Sequence, residues 1–162
     1  MADTRGGTAI HEIGHLIVGA CSNPSDRFYT MRVRQQDGRG GYVKYYLNDG
    51  ELEEYRLFTI AGAIAEIMDK GVTTSLYGSK RDLRDYYHAG GKRLRFDAAT
   101  LDDTAAEVAD TIKVNLEDVA ECVRRLRKNW KLAKHFQNLV YNEGRVQFNT
   151  QETQALAAAV NK

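Results

Sequence analysis

The feature that most constrains this chain is residues 8–17, Thr-Ala-Ile-His-Glu-Ile-Gly-His-Leu-Ile. It is an apolar, helix-compatible run with His11, Glu12 and His15 in its middle. Residues four apart on an α-helix are turned by about 400°, which returns them to nearly the same face. His11 and His15 can therefore present two imidazole nitrogens to one metal ion. Glu12 then stands beside the metal rather than on it. There it can take a proton from a metal-activated water and pass it to a leaving amine. A His-Glu-x-x-His string also arises by chance, as two helix histidines with a solvated Glu. The apolar frame of Ile10, Ile13, Leu16 and Ile17 argues against that, because unpaired polar groups are costly to bury.

A catalytic zinc site takes three protein ligands and keeps one position open. Metzincin spacing would put the third ligand six residues after His15, at Cys21, beyond a turn at glycine. Position 18 is Val18, and six residues of continuing helix turn about 600°, well off the ligand face. The remaining source is a carboxylate from a later helix: Glu66, Asp82 or Asp85. Asp82 falls in the first turn of an expected helix, after the polar loop 73–79. A short side chain there reaches inward while the backbone holds it still. Asp85, one turn on, is expected to face solvent. On position alone, a partner for the helix dipole is the competing reading of Asp82.

The rest of the chain reads as a mainly α fold with a small β-hairpin or sheet, in one domain over residues 1–162. The spacing predicts an amphipathic helix over 4–21, with Asp3 or Thr4 as cap. Strands follow in the latter half of 28–34 and over 42–47. A second long helix covers 51–70, with Leu52, Tyr55, Phe58, Thr59, Gly62, Ala63 and Ile67 as its apolar stripe. Its small residues 61–65 let another helix approach closely. Further helices are expected over 79–88, 101–115, 116–142 and 150–160, with Ala89-Gly90-Gly91 as a break.

Charge excludes some partners. With 23 basic and 22 acidic residues the net charge is +1, which gives no argument for nucleic acid or an acidic membrane surface. No apolar run approaches the ~20 residues of a membrane span. The first residues, Met-Ala-Asp-Thr-Arg-Gly-Gly, lack the basic and apolar regions of a secretory signal. Cys21 and Cys122 fit no paired metal spacing and read as reduced thiols, so a cytoplasmic setting is expected. His88 and His135 read as structural or surface residues. The cationic set from Arg124 to Lys134 reads as a solvated helix face.

Four segments, in order, resemble the peptidase domain of the FtsH-type ATP-dependent zinc metalloproteases. Residues 8–15 are similar to that family's zinc helix, with Ile13 where alanine is usual. Residues 40–47 resemble its "GYT-x-x-LP" strand, with Asn48 in place of the proline. Ala61-Gly62-Ala63-Ile64-Ala65-Glu66 resembles "GGRAAEE", without the arginine or the second glutamate. Residues 72–83 resemble "VTTGASNDL", with extra residues before Gly78. The likeness runs over roughly residues 4–160. It implies Asp82 as the third zinc ligand, beside His11 and His15, with Glu12 as general base.

The implied activity is zinc-dependent endopeptidase cleavage of unfolded or flexible protein segments. Gly41, Tyr42, Val43 and Lys44 are candidates for an edge that holds an extended substrate by strand addition. Glu66 is a candidate for orienting a ligand. The sequence departs from the family in having no Gly-x-x-x-x-Gly-Lys-Ser/Thr phosphate loop and no spanning segment. Peptides and loose segments are therefore the expected substrates, unless a separate ATPase or adaptor assists. Two other readings are open: a regulatory metalloprotease that cleaves one dedicated repressor, similar to ImmA/IrrE proteins, and a catalytically silent peptide-binding module.

Overall fold

The histidine-bearing segment forms a helix, α1 (Arg5–Ala20), in which every residue from Ala9 to Ala20 is buried. The computed structural model describes residues 5–21, 30–32, 42–43, 52–70, 80–90, 114–143, 145–147 and 150–161. The amphipathic reading of 4–21 is corrected here. Ile10, Ile13, Leu16 and Ile17 do fill one arc of α1, but the arc holding the histidines is covered as well. A helix covered on all sides sits at the centre of a core. What covers the polar arc is α2 (Leu52–Lys70).

The two helices approach closely because their facing residues are small. A methyl group built on Gly14 would fall 2.5 Å from the Ala61 carbonyl oxygen and 2.7 Å from the Ala65 Cβ. Glu53 and Glu54 in the first turn of α2, and Lys70 in its last, suit the helix dipole. The third helix, α3 (Lys80–His88), packs on α2 and ends at Gly90, whose φ of +91° is a left-handed cap that glycine adopts without strain.

The expected helix over 101–115 lies outside the described residues, except for Val114 and Asn115, which are not helical. The single helix expected over 116–142 is two: α4 (Leu116–Lys128) and α5 (Trp130–Glu143). Asn129 makes the break. Its backbone turns to φ −111°, ψ 21°, and its buried side-chain amide donates to the Arg125 carbonyl at 2.9 Å. Asparagine competes with helix continuation by bonding nearby backbone in this way. Its own carbonyl then accepts the first bond of α5, from the Ala133 N–H at 2.9 Å. The last helix is α6 (Thr150–Val160).

The fold is mainly helical. Among the described residues, three short strands accompany the helices: β1 (Thr30–Arg32), β2 (Tyr42–Val43) and β3 (Arg145–Gln147). They form an antiparallel sheet in the order β2-β1-β3, with Met31 opposite both Val43 and Val146. The third strand falls between the helices expected over 116–142 and 150–160, where the sequence pattern assigns no element. The core gathers α1 with Ile60 and Ile64 of α2, Tyr86 of α3, Val119 and Leu126 of α4, Ala133 and Val140 of α5, and Leu156 and Val160 of α6. Among the described residues, no helix is long and apolar enough to cross a membrane.

Candidate metal centre

Two helices lie face to face at the polar arc of α1, and their residues alternate. His11 and His15 are one turn apart on α1. Phe58, Gly62 and Glu66 are successive turns of one stripe on α2. The histidine Nδ1 atoms point at this stripe. His15 Nδ1 donates to the Phe58 carbonyl oxygen at 2.6 Å, and His11 Nδ1 meets the Glu66 carboxylate at 2.5 Å. Both partners are acceptors, so both Nδ1 atoms carry hydrogen. In the neutral imidazole this leaves Nε2 with a lone pair, the tautomer that a metal ligand needs once the cluster's shared proton has gone.

The two Nε2 atoms converge. They stand 3.1 Å apart, and a carboxylate oxygen of Asp82, from the first turn of α3, lies 2.9 Å from His11 Nε2 and 3.1 Å from His15 Nε2. Ligands about 2.0–2.1 Å from a tetrahedral zinc stand about 3.3 Å apart. The observed triangle is that base, slightly contracted. Among the described residues, His11, His15 and Asp82 form the group of histidine, cysteine and acidic side chains close enough to share a metal ion. The donor set, two imidazoles and one carboxylate with no thiolate, is of a kind that zinc accepts.

Gly62 gives this triangle its room. A methyl group built there would fall 2.6 Å from the Nε2 of both histidines and 2.7 Å from His11 Cδ2. Any side chain at 62 would occupy the space at which the donors are aimed. Phe58 contributes its ring as well as its carbonyl, packing on His15 with centroids 5.0 Å apart.

The electrostatics follow from crowding anions in a buried place. Burial lowers the proton affinity of His11, but hydrogen bonds to Asp82 and Glu66 outweigh it and raise its pKa to about 10. Burial works against ionisation of Asp82 too, yet the two imidazoles hold its carboxyl well below the usual carboxylate range. In the metal-free protein this cluster keeps a proton where the donors meet, so metal and proton compete for it. Glu12 is only 8% exposed and has no hydrogen-bond partner among the described residues. Burial raises its pKa, against the pull of His15 and His11. A buried carboxylate with raised proton affinity beside a cation site is equipped to accept and return a proton.

Of the other candidates, Cys21 and Asp85 lie outside the ligand group. Tyr42 and Val43 form β2, at an edge of the described sheet and against α1, while Gly41 and Lys44 lie outside the described residues. His88 and His135 are exposed. The sequence reading missed Phe58 and Gly62 as parts of the site. The signal was their spacing of four, continued by Glu66, on the helix with the small-residue stripe. No protein-family model and no curated protein matches the chain.

Proposed function

We propose that this protein is a zinc-dependent endopeptidase acting on unfolded or flexible protein segments, with a peptidase domain of the FtsH type. The observation that carries the reading is the convergence of three lone-pair donors, from His11, His15 and Asp82, beside a buried Glu12. Zinc held by these three would polarise the scissile carbonyl and acidify a water. The chain's own groups do the rest. Glu66 and the Phe58 carbonyl hold the imidazoles in orientation and tautomer. Glu12 accepts the proton of the attacking water and delivers it to the departing amine.

The edge at Tyr42 and Val43, flanked by Gly41 and Lys44, takes an extended substrate by strand addition. Backbone pairing of that kind requires a chain free of its own secondary structure, which selects loose segments. Folded substrates would need a separate ATPase or adaptor to open them. A cytoplasmic setting agrees with the two free cysteines, Cys21 and Cys122.

Metal analysis of the purified protein and casein digestion with and without a chelator test the reading. Zinc at one per chain and chelator-sensitive cleavage are expected. Glu12→Gln should keep the metal and lose about 10²–10⁴-fold in rate, the usual weight of a positioned acid–base group. Cleavage that survives chelation refutes the metal reading, and full activity in Glu12→Gln refutes the assigned base. Zinc binding without any cleavage would favour the peptide-binding module.

A further inference from the structure

Two of the three proposed ligands share α1, at the centre of the core. The third arrives on α3, a nine-residue helix, so the shape of the donor triangle depends on how α3 is held. Asp82 cannot fix itself. Its hydrogen bonds among the described residues go to His11 and His15 alone, and its side chain is 25% exposed.

Tyr86 lies one turn beyond Asp82 on the same face of α3 and is fully buried. Its hydroxyl donates to Asp118 Oδ2 of α4 at 2.6 Å and accepts from the Asn115 backbone N–H at 3.1 Å. A hydroxyl–carboxylate bond of that length is of the strong, charge-assisted kind. Burial and the neighbouring Asp118 keep the phenol protonated, so it remains a donor. Arg56 of α2 completes the tie. Its Nε donates to the same Asp118 oxygen and its Nη1 to the Ala89 carbonyl at the end of α3, both at 3.4 Å. The tie therefore joins α3 to α2, the helix whose Phe58 and Glu66 orient the histidines.

We propose that Tyr86, through its hydrogen bond to Asp118, is a positioning residue that sets Asp82 against the histidine pair. The proposal rests on the metal reading above. Ligand constellations tolerate about 0.5 Å and 10–20° of error before they weaken, and a helix of this length can shift by that much when one anchor is lost.

The test is zinc affinity, by competition with a chromophoric chelator. Tyr86→Phe keeps the ring and its packing and removes only the hydroxyl. It should weaken zinc binding about tenfold, as loss of an outer partner of a metal site does. In an Asp82→Ala background the same substitution should change nothing, because α3 then carries no ligand to position. Val140→Ala, which opens a cavity in α5, should lower the melting temperature and leave zinc affinity as it was. An unchanged affinity in Tyr86→Phe overturns the proposal. So does an equal loss in the Asp82→Ala background, or a loss in Val140→Ala that tracks stability, since either makes Tyr86 an ordinary core residue. Absence of zinc binding by the unaltered protein is a separate result, seen first, and overturns the metal reading itself.

Discussion

Two clusters of charge border α1, and they are built on opposite principles. In one, Arg125 of α4 donates to both carboxylate oxygens of Glu54 at 2.8 and 3.0 Å, to Glu121 at 2.9 Å, and to the Val18 carbonyl of α1 at 3.3 Å. Arg124 donates twice more to Glu121, at 2.9 and 2.6 Å. Two guanidiniums meet two carboxylates, and the charges cancel. In the other, three carboxylates (Glu12, Glu66 and Asp82) surround two imidazoles. Among the described residues, its carboxyl groups outnumber its imidazoles three to two. Buried charge is tolerated where it is paired. The first cluster is complete as it stands and ties α2, α4 and α1 together. Among the described residues, the second is short of positive charge at the point where its donor atoms converge. A matched cluster reads as structure, and a mismatched one of this size reads as a place for a cation.

That contrast can be broken most sharply at Gly62. Gly62→Ala puts a methyl 2.6 Å from the Nε2 atoms of both histidines, and the imidazoles cannot swing away without losing their Nδ1 bonds to Glu66 and Phe58. We expect zinc affinity to fall about 100-fold or more, beyond the effect of losing an outer partner. Stability should fall by no more than about 2 kcal/mol, because overpacking at about 1–3 kcal/mol is partly offset by about 1 kcal/mol of better helix propensity. Chelator competition and thermal melts measured together check both halves. Unchanged zinc binding would mean that the donors do not meet over Gly62.

The matched cluster should give the reverse pattern. Arg125→Met keeps the buried stem and removes the charge that holds Glu54 and Glu121. Each of those carboxylates is 32% exposed and can recover some water, so the cost is about 1–3 kcal/mol rather than that of a fully buried orphan. Urea unfolding should register it, with zinc affinity unaltered. A large loss of zinc affinity would show the two clusters to be one coupled system.

Much of the site was legible because the chemistry demanded it. His-Glu-x-x-His in an apolar frame can be read from residue types alone, and the shortage of a third ligand directs attention to later carboxylates. The choice among them was a different matter. Helical spacing puts Asp82 in a first turn, but nothing in local sequence brings that turn back to residue 11. The supporting pair Phe58 and Gly62 was hidden for another reason. One acts through its backbone carbonyl and the other through having no side chain, so neither announces chemistry. The mainly helical architecture followed from periodicity. The break at Asn129 did not, since periodicity continues across it and the decision lies in one buried amide that bonds backbone from two helices. The burial of α1 on every side was legible only in part: the apolar frame argued that the polar trio is enclosed, but nothing in the local sequence names α2 as its cover.

The last contrast concerns pH, and the clusters should differ in its sign. In the metal-free protein His11 has its pKa raised from 6.5 to about 10. A group raised on folding adds stability that is fully present below its unfolded value and is lost as pH rises through the folded one. The unmatched cluster therefore weakens the chelated protein between about pH 6.5 and 10. Glu121 is opposite: hydrogen bonds from Arg124, and then Arg125, outweigh burial and lower its carboxyl from 4.5 to about 2. Its contribution is present above 4.5 and fades as pH falls through 2. Urea midpoints across this range should decline at both ends for the chelated protein. Saturating zinc should remove the alkaline decline, since the metal displaces the proton and stabilises by mass action. It should leave the Glu121 share of the acid decline in place. An alkaline decline that persists in His11→Gln would assign it to some other group and dissolve the contrast between the two clusters.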